Sequence, residues 1–280
     1  MGNPRASNLS WLRAQRAAAA QPPLRPRVPL WSGASLIGSV EPDFLHQIDL
    51  QPLPDGRKQL LKEERDGLPG WHLLGDVTAG LNRVAAALHA ADLAGAWRGE
   101  QLAVNDQHGV RLGTVERAAV RPLGIATQAV HLVGQTVDGR FWVQQRALDK
   151  PNDPGLWDTL MGGMVSAEDT LATALVRETW EEAGLHLDQL RGMVRGGHVD
   201  IRRPCDDGRG TGYVVERIDW YHCSVPDGQV PVNQDGEVER FVLMDAGEML
   251  DKMHANEFTS EAALIQAALL DLRSGSSSAQ

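Results

Sequence analysis

Between residues 166 and 184 the sequence spells out a helix with both ends marked, and that segment limits the possible folds more than any other. Ser166 stands where a side chain can cap a first turn. Asp169 follows three residues later in capping-box position, and Gly184 falls where a left-handed C-terminal residue is wanted. Leu171, Ala174, Leu175 and Ala183 supply an inward apolar stripe, while acids crowd other positions. Glu178, Glu181 and Glu182 are related by i, i+3 and i+4, which lets all three project to one side within about 5 to 6 Å of one another. Two carboxylates at about 4 Å repel by roughly 4 kcal/mol at an effective dielectric near 20. Raised pKa values, solvent or a bound cation reduce that cost. Hard oxygen donors suit Mg²⁺ or Mn²⁺, and Mg²⁺ commonly divides its shell between carboxylates, waters and substrate phosphates. The cluster therefore predicts phosphate chemistry. A bare surface helix, with Arg177 paired to Glu181 at i+4, is the competing reading.

The surroundings decide between the two. Gly163 is followed, after thirteen residues, by Arg177-Glu178-Thr179-Trp180-Glu181-Glu182-Ala183-Gly184-Leu185, and this run resembles the Nudix box. The resemblance implies an α/β/α sandwich with a mixed sheet over about residues 125–272, in which a loop-helix-loop binds a divalent metal and hydrolyses a diphosphate linked to another group. By position in the motif, Glu178, Glu181 and Glu182 are the implied metal-binding carboxylates, with the Gly162 carbonyl as a further ligand. Arg177 is the residue that orients the glutamates, and Glu178 is alternatively the base. One position departs from the pattern: Asp169 stands where the motif usually has Glu, with Glu168 beside it.

A second resemblance spans both halves of the chain. Trp97-Arg98-Gly99-Glu100, Val115-Glu116-Arg117, Val143-Gln144-Gln145-Arg146 with Lys150, Pro154-Gly155-Leu156-Trp157-Asp158 and Gly162-Gly163-Met164-Val165-Ser166 are similar to the Nudix half of fungal thiamine pyrophosphokinases and its relatives. It implies an accessory domain at the N-terminus and thiamine diphosphate analogues as candidate substrates.

At 280 residues the chain allows one large domain or two modest ones, each able to bury a sizeable core. Composition changes near Arg121-Pro122-Leu123-Gly124, which gives an expected N-terminal arm (1–27), a small accessory α+β domain (28–121), a Nudix domain (122–273) and a disordered tail (274–280). In the first unit, 28–40 reads as strand, 77–97 as helix, and 102–105 and 110–115 as a hairpin around Asp106-Gln107-His108-Gly109. In the second, 125–133 and 141–145 read as strands joined by a turn at Asp138-Gly139, followed by strands at 214–224 and 238–244 and helices at 246–254 and 260–272.

A formal charge of −10 argues against a protein that coats nucleic acid. Five arginines and no acid in residues 1–30 leave the other 250 residues at −15. Such a start resembles an organelle transit sequence, but a surface helix over 8–20 followed by a Pro-rich arm over 21–29 is the preferred reading. The arm is also long enough to reach across a homodimer. Cys205 and Cys223 have no ligand spacing and fit a reducing, cytoplasmic setting. No stretch is long and apolar enough for a bilayer span, so no membrane partner is expected.

The remaining site candidates are single residues. Arg146 and Lys150 are candidate phosphate clamps, or equally solvated cations at a strand end. Glu237 and Glu239 offer a further base or ligand from a mobile loop, with an ordinary acidic turn as the alternative. Trp157 is a candidate stacking surface for a substrate ring, against burial in the sheet. His198 and His222 read as structural. The expected function is a Mg²⁺- or Mn²⁺-dependent pyrophosphohydrolase acting on a small organic diphosphate, a thiamine diphosphate analogue or a nucleoside diphosphate derivative. A non-catalytic module binding a nucleotide or cofactor is the alternative, and isomerase chemistry on an isoprenoid diphosphate ranks last.

Overall fold

The computed structural model describes residues 4–276. Strand β7 (Thr127–Gln135) is the axis of the second half, and it is apolar on both sides because both sides are covered. Ala129 and Val133 enter one core with Phe141, Val143, Ile218 and Trp220. Val130 and Leu132, on the opposite face of the pleat, enter another with Leu160, Met161, Ala174 and Leu175. Around β7 lie β8 (Phe141–Arg146), β9 (Trp157–Asp158), β10 (Met161–Met164), β11 (Arg191–Cys205), β12 (Gly212–Ser224) and β13 (Val238–Met244). The sheet order is β11-β12-β7-β8-β13, with β10 on β7 and β9 on β8. Pairing of β12 with β7 is parallel and of β11 with β12 antiparallel, so the sheet is mixed.

Helix α3 (Leu171–Ala183) covers one face. The other face carries α5 (Ala246–His254), α6 (Ser260–Ser276) and the N-terminal α1 (Pro4–Ala19), whose Leu12 and Ala19 are buried in the same core as Met249, Met253 and Ile265. The result is an α/β/α sandwich. The basic N-terminal segment is thus part of this layer, tied further by the Tyr213 hydroxyl donating to the Gln21 carbonyl at 2.8 Å.

The first half is a small α+β assembly. Strands β1 (Val28–Ser32), β2 (Ser35–Val40), β3 (Leu60–Arg65) and β4 (Leu68–Leu73) form a sheet in the order β2-β1-β4-β3, and α2 (Val77–Ala90) packs beside the hairpin of β5 (Gln101–Asn105) and β6 (Arg111–Glu116). Ile125 and Met164, from the second half, are buried in this core with Leu81, Leu102 and Val115.

Several local expectations change. The span 28–40 is a hairpin, turned at Gly33 with φ 55°. The helix expected over 77–97 stops at Ala90, and Asp92 at φ 56° turns the chain away. Thr170, not Ser166, caps α3: the Thr170 Oγ1 accepts from the Thr173 N–H at 3.2 Å and the Thr173 Oγ1 from the Thr170 N–H at 2.8 Å. Ser166 is still paired with Leu102 across a β-bridge, so the chain has not yet turned into the helix there. Gly184 does take the left-handed closing position, at φ 61°. Helix α6 continues to Ser276, beyond the expected end at 272, which removes 274–276 from the expected disordered tail; residues 277–280 lie outside the described residues.

A split in the sheet positions the acids of α3. Strands β7 and β8 pair at Gly134 with Trp142 and Gln135 with Phe141, then diverge. Into the opening come β10, bonded to β7, and β9, bonded to β8. This brings Gly162 of β10 and Gln144 of β8 to the same carboxylate of α3.

Candidate active site

That carboxylate is Glu182, only 1% exposed. Its Oε2 accepts from the Gly162 N–H and from Gln144 Nε2, each at 2.9 Å, and its Oε1 lies 3.8 Å from Lys150 Nζ. Burial pushes the Glu182 carboxyl up to about 8, against the pull of Lys150 and the two donors, and the neighbouring Glu178 adds to the rise. Gln144, itself 1% exposed, keeps its Oε1 without a partner among the described residues.

Glu178 and Glu181 are organised by Arg177. Its Nη1 donates to Glu178 Oε1 and Glu181 Oε2, both at 2.9 Å. Its Nε and Nη2 donate to Asp169 Oδ2 at 3.0 and 2.7 Å, and Nη2 also reaches the Met164 carbonyl at 3.3 Å. Burial works against the charge on Arg177, but Asp169, Glu178 and Glu181 more than offset it and its pKa is raised. Asp169 is steadied in turn by Ser166 Oγ and Thr173 Oγ1, each at 3.0 Å, so the shorter acid reaches Arg177 from just ahead of the helix. Burial drives the Glu178 carboxyl up to about 7 despite Arg177, with Glu181 and Glu100 contributing. Gly163 shows why this position has no side chain: a Cβ there would overlap the Glu178 carboxyl group. A Cβ on Gly162 would strike the His131 ring.

The structure places the other sequence candidates unequally. Lys150 belongs to the cluster, bridging Glu182 to Glu237 Oε2 at 2.5 Å. Burial pushes Glu237 up, but Lys150, aided by Arg117 and Arg98, outweighs it and leaves the carboxyl below its ordinary value. Glu239 is exposed on β13, and among the described residues none pairs with it. Arg146 is turned onto its own loop, donating to the Asn152 and Asp153 carbonyls at 3.0 and 3.2 Å and lying 3.5 Å from Asp158. Trp157 does not offer a stacking face: it is 6% exposed, in the core, with Arg240 and Lys252 over its ring at 5.4 and 5.8 Å. Strand β9 carries it inward, which a lone Trp in an irregular stretch of sequence does not reveal. His198 lies 3.6 Å from Asp200, and His222 packs near Trp220.

Sequence reasoning assigned no role to Gln144, to Asp169 as the anchor of Arg177, or to Glu100. Gln144 had a visible signal, a polar residue ending the run Phe141-Trp142-Val143 on a buried strand. Glu100 stands in the run Trp97-Arg98-Gly99-Glu100, but its influence on Glu178 arises only through tertiary packing.

Among the described residues no three His, Cys, Asp or Glu side chains converge tightly enough to enclose an ion, with Arg177 bonded to two of the acids. The chemistry of the donor set nonetheless fits a hard divalent cation. Three carboxylates share one helix face, and burial, complete for Glu182 and partial for Glu178, drives two of them toward the neutral form despite Arg177 and Lys150.

Residues 126–264 match the family model of the NUDIX domain, and the chain belongs to the Nudix superfamily. Among its relatives, Nudix hydrolase 24, chloroplastic, of Arabidopsis thaliana is 29% identical over 151 residues, covering 52% of this chain and 40% of its own length. Nudix hydrolase 20, chloroplastic, of the same plant is 30% identical over 151 residues, so the chain spans about two fifths of either relative. The isopentenyl-diphosphate Delta-isomerase of Streptomyces avermitilis is 30% identical over 159 residues, 55% of this chain and 76% of the isomerase. A crystal structure from Deinococcus radiodurans aligns over 60% of this chain and 97% of its own at a TM-score of 0.47 and 17% identity. Among the described residues no helix is long and apolar enough to cross a membrane.

Proposed function

We propose that the protein is a divalent-metal-dependent pyrophosphohydrolase that cleaves a diphosphate linkage in a small organic molecule. The observation that carries this reading is the placement of Glu178, Glu181 and Glu182 on one face of α3, with Glu182 buried against the Gly162 N–H and Gln144. These three acids, with the Gly162 carbonyl, would hold Mg²⁺ or Mn²⁺. Such an ion, when bound, neutralises the diphosphate and acidifies a water.

The chain's own residues supply the rest. Arg177 fixes the rotamers of Glu178 and Glu181, and Asp169, the shorter acid, fixes Arg177. As an alternative to ligating the ion, Glu178, whose carboxyl is raised by burial, takes the proton from the attacking water. Glu237, held down by Lys150, is the poorer base and serves better to tether the loop before β13. Arg146 braces the loop at 152–153.

The isomerase relative favours one other reading, proton transfer on an isoprenoid diphosphate. Neither thiol supports it. Cys223 is buried, which pushes it up to about 12, and burial beside Asp207 also raises Cys205. A phosphate-release screen with Mg²⁺ and Mn²⁺ over thiamine diphosphate analogues, nucleotide sugars, dinucleotides and nucleoside triphosphates tests the assignment. Turnover that Glu181→Gln abolishes is the expected result. Full turnover in that variant, or product without phosphate bond cleavage, defeats it.

A further inference from the structure

We propose that the N-terminal half completes the active site, with Arg98 as the cation that receives the diphosphate of the substrate. This rests on the hydrolase reading above.

The two halves meet at the approach to the glutamate helix. The Ala167 N–H donates to the Gln101 carbonyl at 2.7 Å, Leu102 bridges Ser166, and Arg111 Nη1 donates to the Ala167 carbonyl. The segment entering β5 is therefore fixed against the loop entering α3. Glu116, 1% exposed, steadies it from within: its Oε1 accepts from the Arg98 N–H at 3.0 Å and the Ala118 N–H at 3.4 Å. The Arg117 N–H donates to the Glu100 carbonyl at 2.8 Å, and Arg117 Nη1 to Glu100 Oε2 at 2.7 Å. Glu100 is close enough to Glu178, and both arginines close enough to Glu237, to bear on those carboxyl groups electrostatically. Arg98 thus stands three residues ahead of Gln101, on the segment bonded to the loop that enters α3.

Charge accounting singles out Arg98. A diphosphate brings several negative charges to a site already rich in carboxylates, so it needs cations that are not spent. Arg177 is saturated by Asp169, Glu178 and Glu181; Lys150 is held between Glu182 and Glu237; Arg146 is spread over loop carbonyls and Asp158. Arg98 is exposed, and its guanidinium makes no hydrogen bond or ion pair with the described residues. A planar fork that stays charged at any working pH matches two phosphate oxygens. Its backbone is anchored by a buried carboxylate while its head is left open, which is the arrangement of a residue kept for a ligand.

The test is titration calorimetry of the full chain in Mg²⁺ with methylenediphosphonate, a diphosphate analogue that is not hydrolysed. Arg98→Gln should weaken binding by about tenfold or more, Arg98→Lys should recover part of it, and the thermal midpoint should not move. With a hydrolysed substrate, R98Q should raise KM more than it lowers kcat. The proposal is overturned if R98Q binds like the wild type, if the wild type binds no methylenediphosphonate, or if R98Q and R98K lose binding equally together with stability. Retained turnover in E181Q sinks the hydrolase reading instead, and is read in a separate assay.

Discussion

Glu182 is the residue whose perturbation says most about the site. Its folded-state carboxyl sits near 8 because it is buried, while in the unfolded chain it returns to about 4.5. The folded protein therefore binds the proton more tightly, and the metal-free protein loses stability as pH rises from about 4.5 to about 8, at up to about 1.4 kcal/mol per pH unit. Glu182→Gln removes that titration. The carboxamide oxygen can still accept from the Gly162 N–H and Gln144 Nε2, and its NH₂ can donate to the unpartnered Gln144 Oε1. At pH 5 the variant and wild type should unfold within about 1 kcal/mol of each other, whereas at pH 8, in EDTA, the variant should be the more stable by up to roughly 4 kcal/mol. For a chain of this size that is on the order of 10 °C in thermal midpoint. Added Mg²⁺ should raise the wild-type midpoint at pH 8 more than at pH 6, since the ligand must be ionised, and should leave the variant nearly unchanged. Calorimetric melts of both proteins at several pH values decide the matter. Parallel stability curves for the two, or a variant destabilised equally at every pH, would refute the reasoning.

Gly163→Ala forces a methyl into the space of the Glu178 carboxyl; we expect metal affinity to fall at least about tenfold by calorimetry while circular dichroism shows the fold retained. Asp169→Ala strips Arg177 of its two-point anchor and should cost about 1.5–3 kcal/mol in urea unfolding as well as most of kcat. Asp169→Glu, which restores the usual acid of the motif, should keep activity, and an inactive D169E would show that the loop is built for the shorter side chain.

What could be read from the sequence was what is local. The body of α3, its glycine stop and the spacing of its acids are set within a few turns of one helix, as are the Asp138-Gly139 turn and the helix over 246–254. The start of α3 was misplaced because Ser166 is drawn into a bridge with a residue of the other half, a long-range fact. Strands β9 and β10 were missed for the same reason: β9 is two residues long and exists only because β7 and β8 diverge. The β3–β4 hairpin escaped notice because Lys62, Glu63, Glu64 and Arg65 mask any apolar alternation. Within the site, the acids of α3 were visible from their spacing, but Trp157 looked available because burial is decided by packing against α6, where Trp157 bridges Phe258 just ahead of the helix.

Ile125 and Met164 belong to the second half by position, yet they lie among the side chains of the first. Grafting residues 122–273 into a chimaera would bare both and strip the Ala167 amide of its Gln101 acceptor, so the glutamate helix would hang from a loop missing one wall. The two halves are not interchangeable cassettes. Strands β5 and β6 must travel with any transplanted second half, because Gln101 and Leu102 hold the loop that enters the glutamate helix.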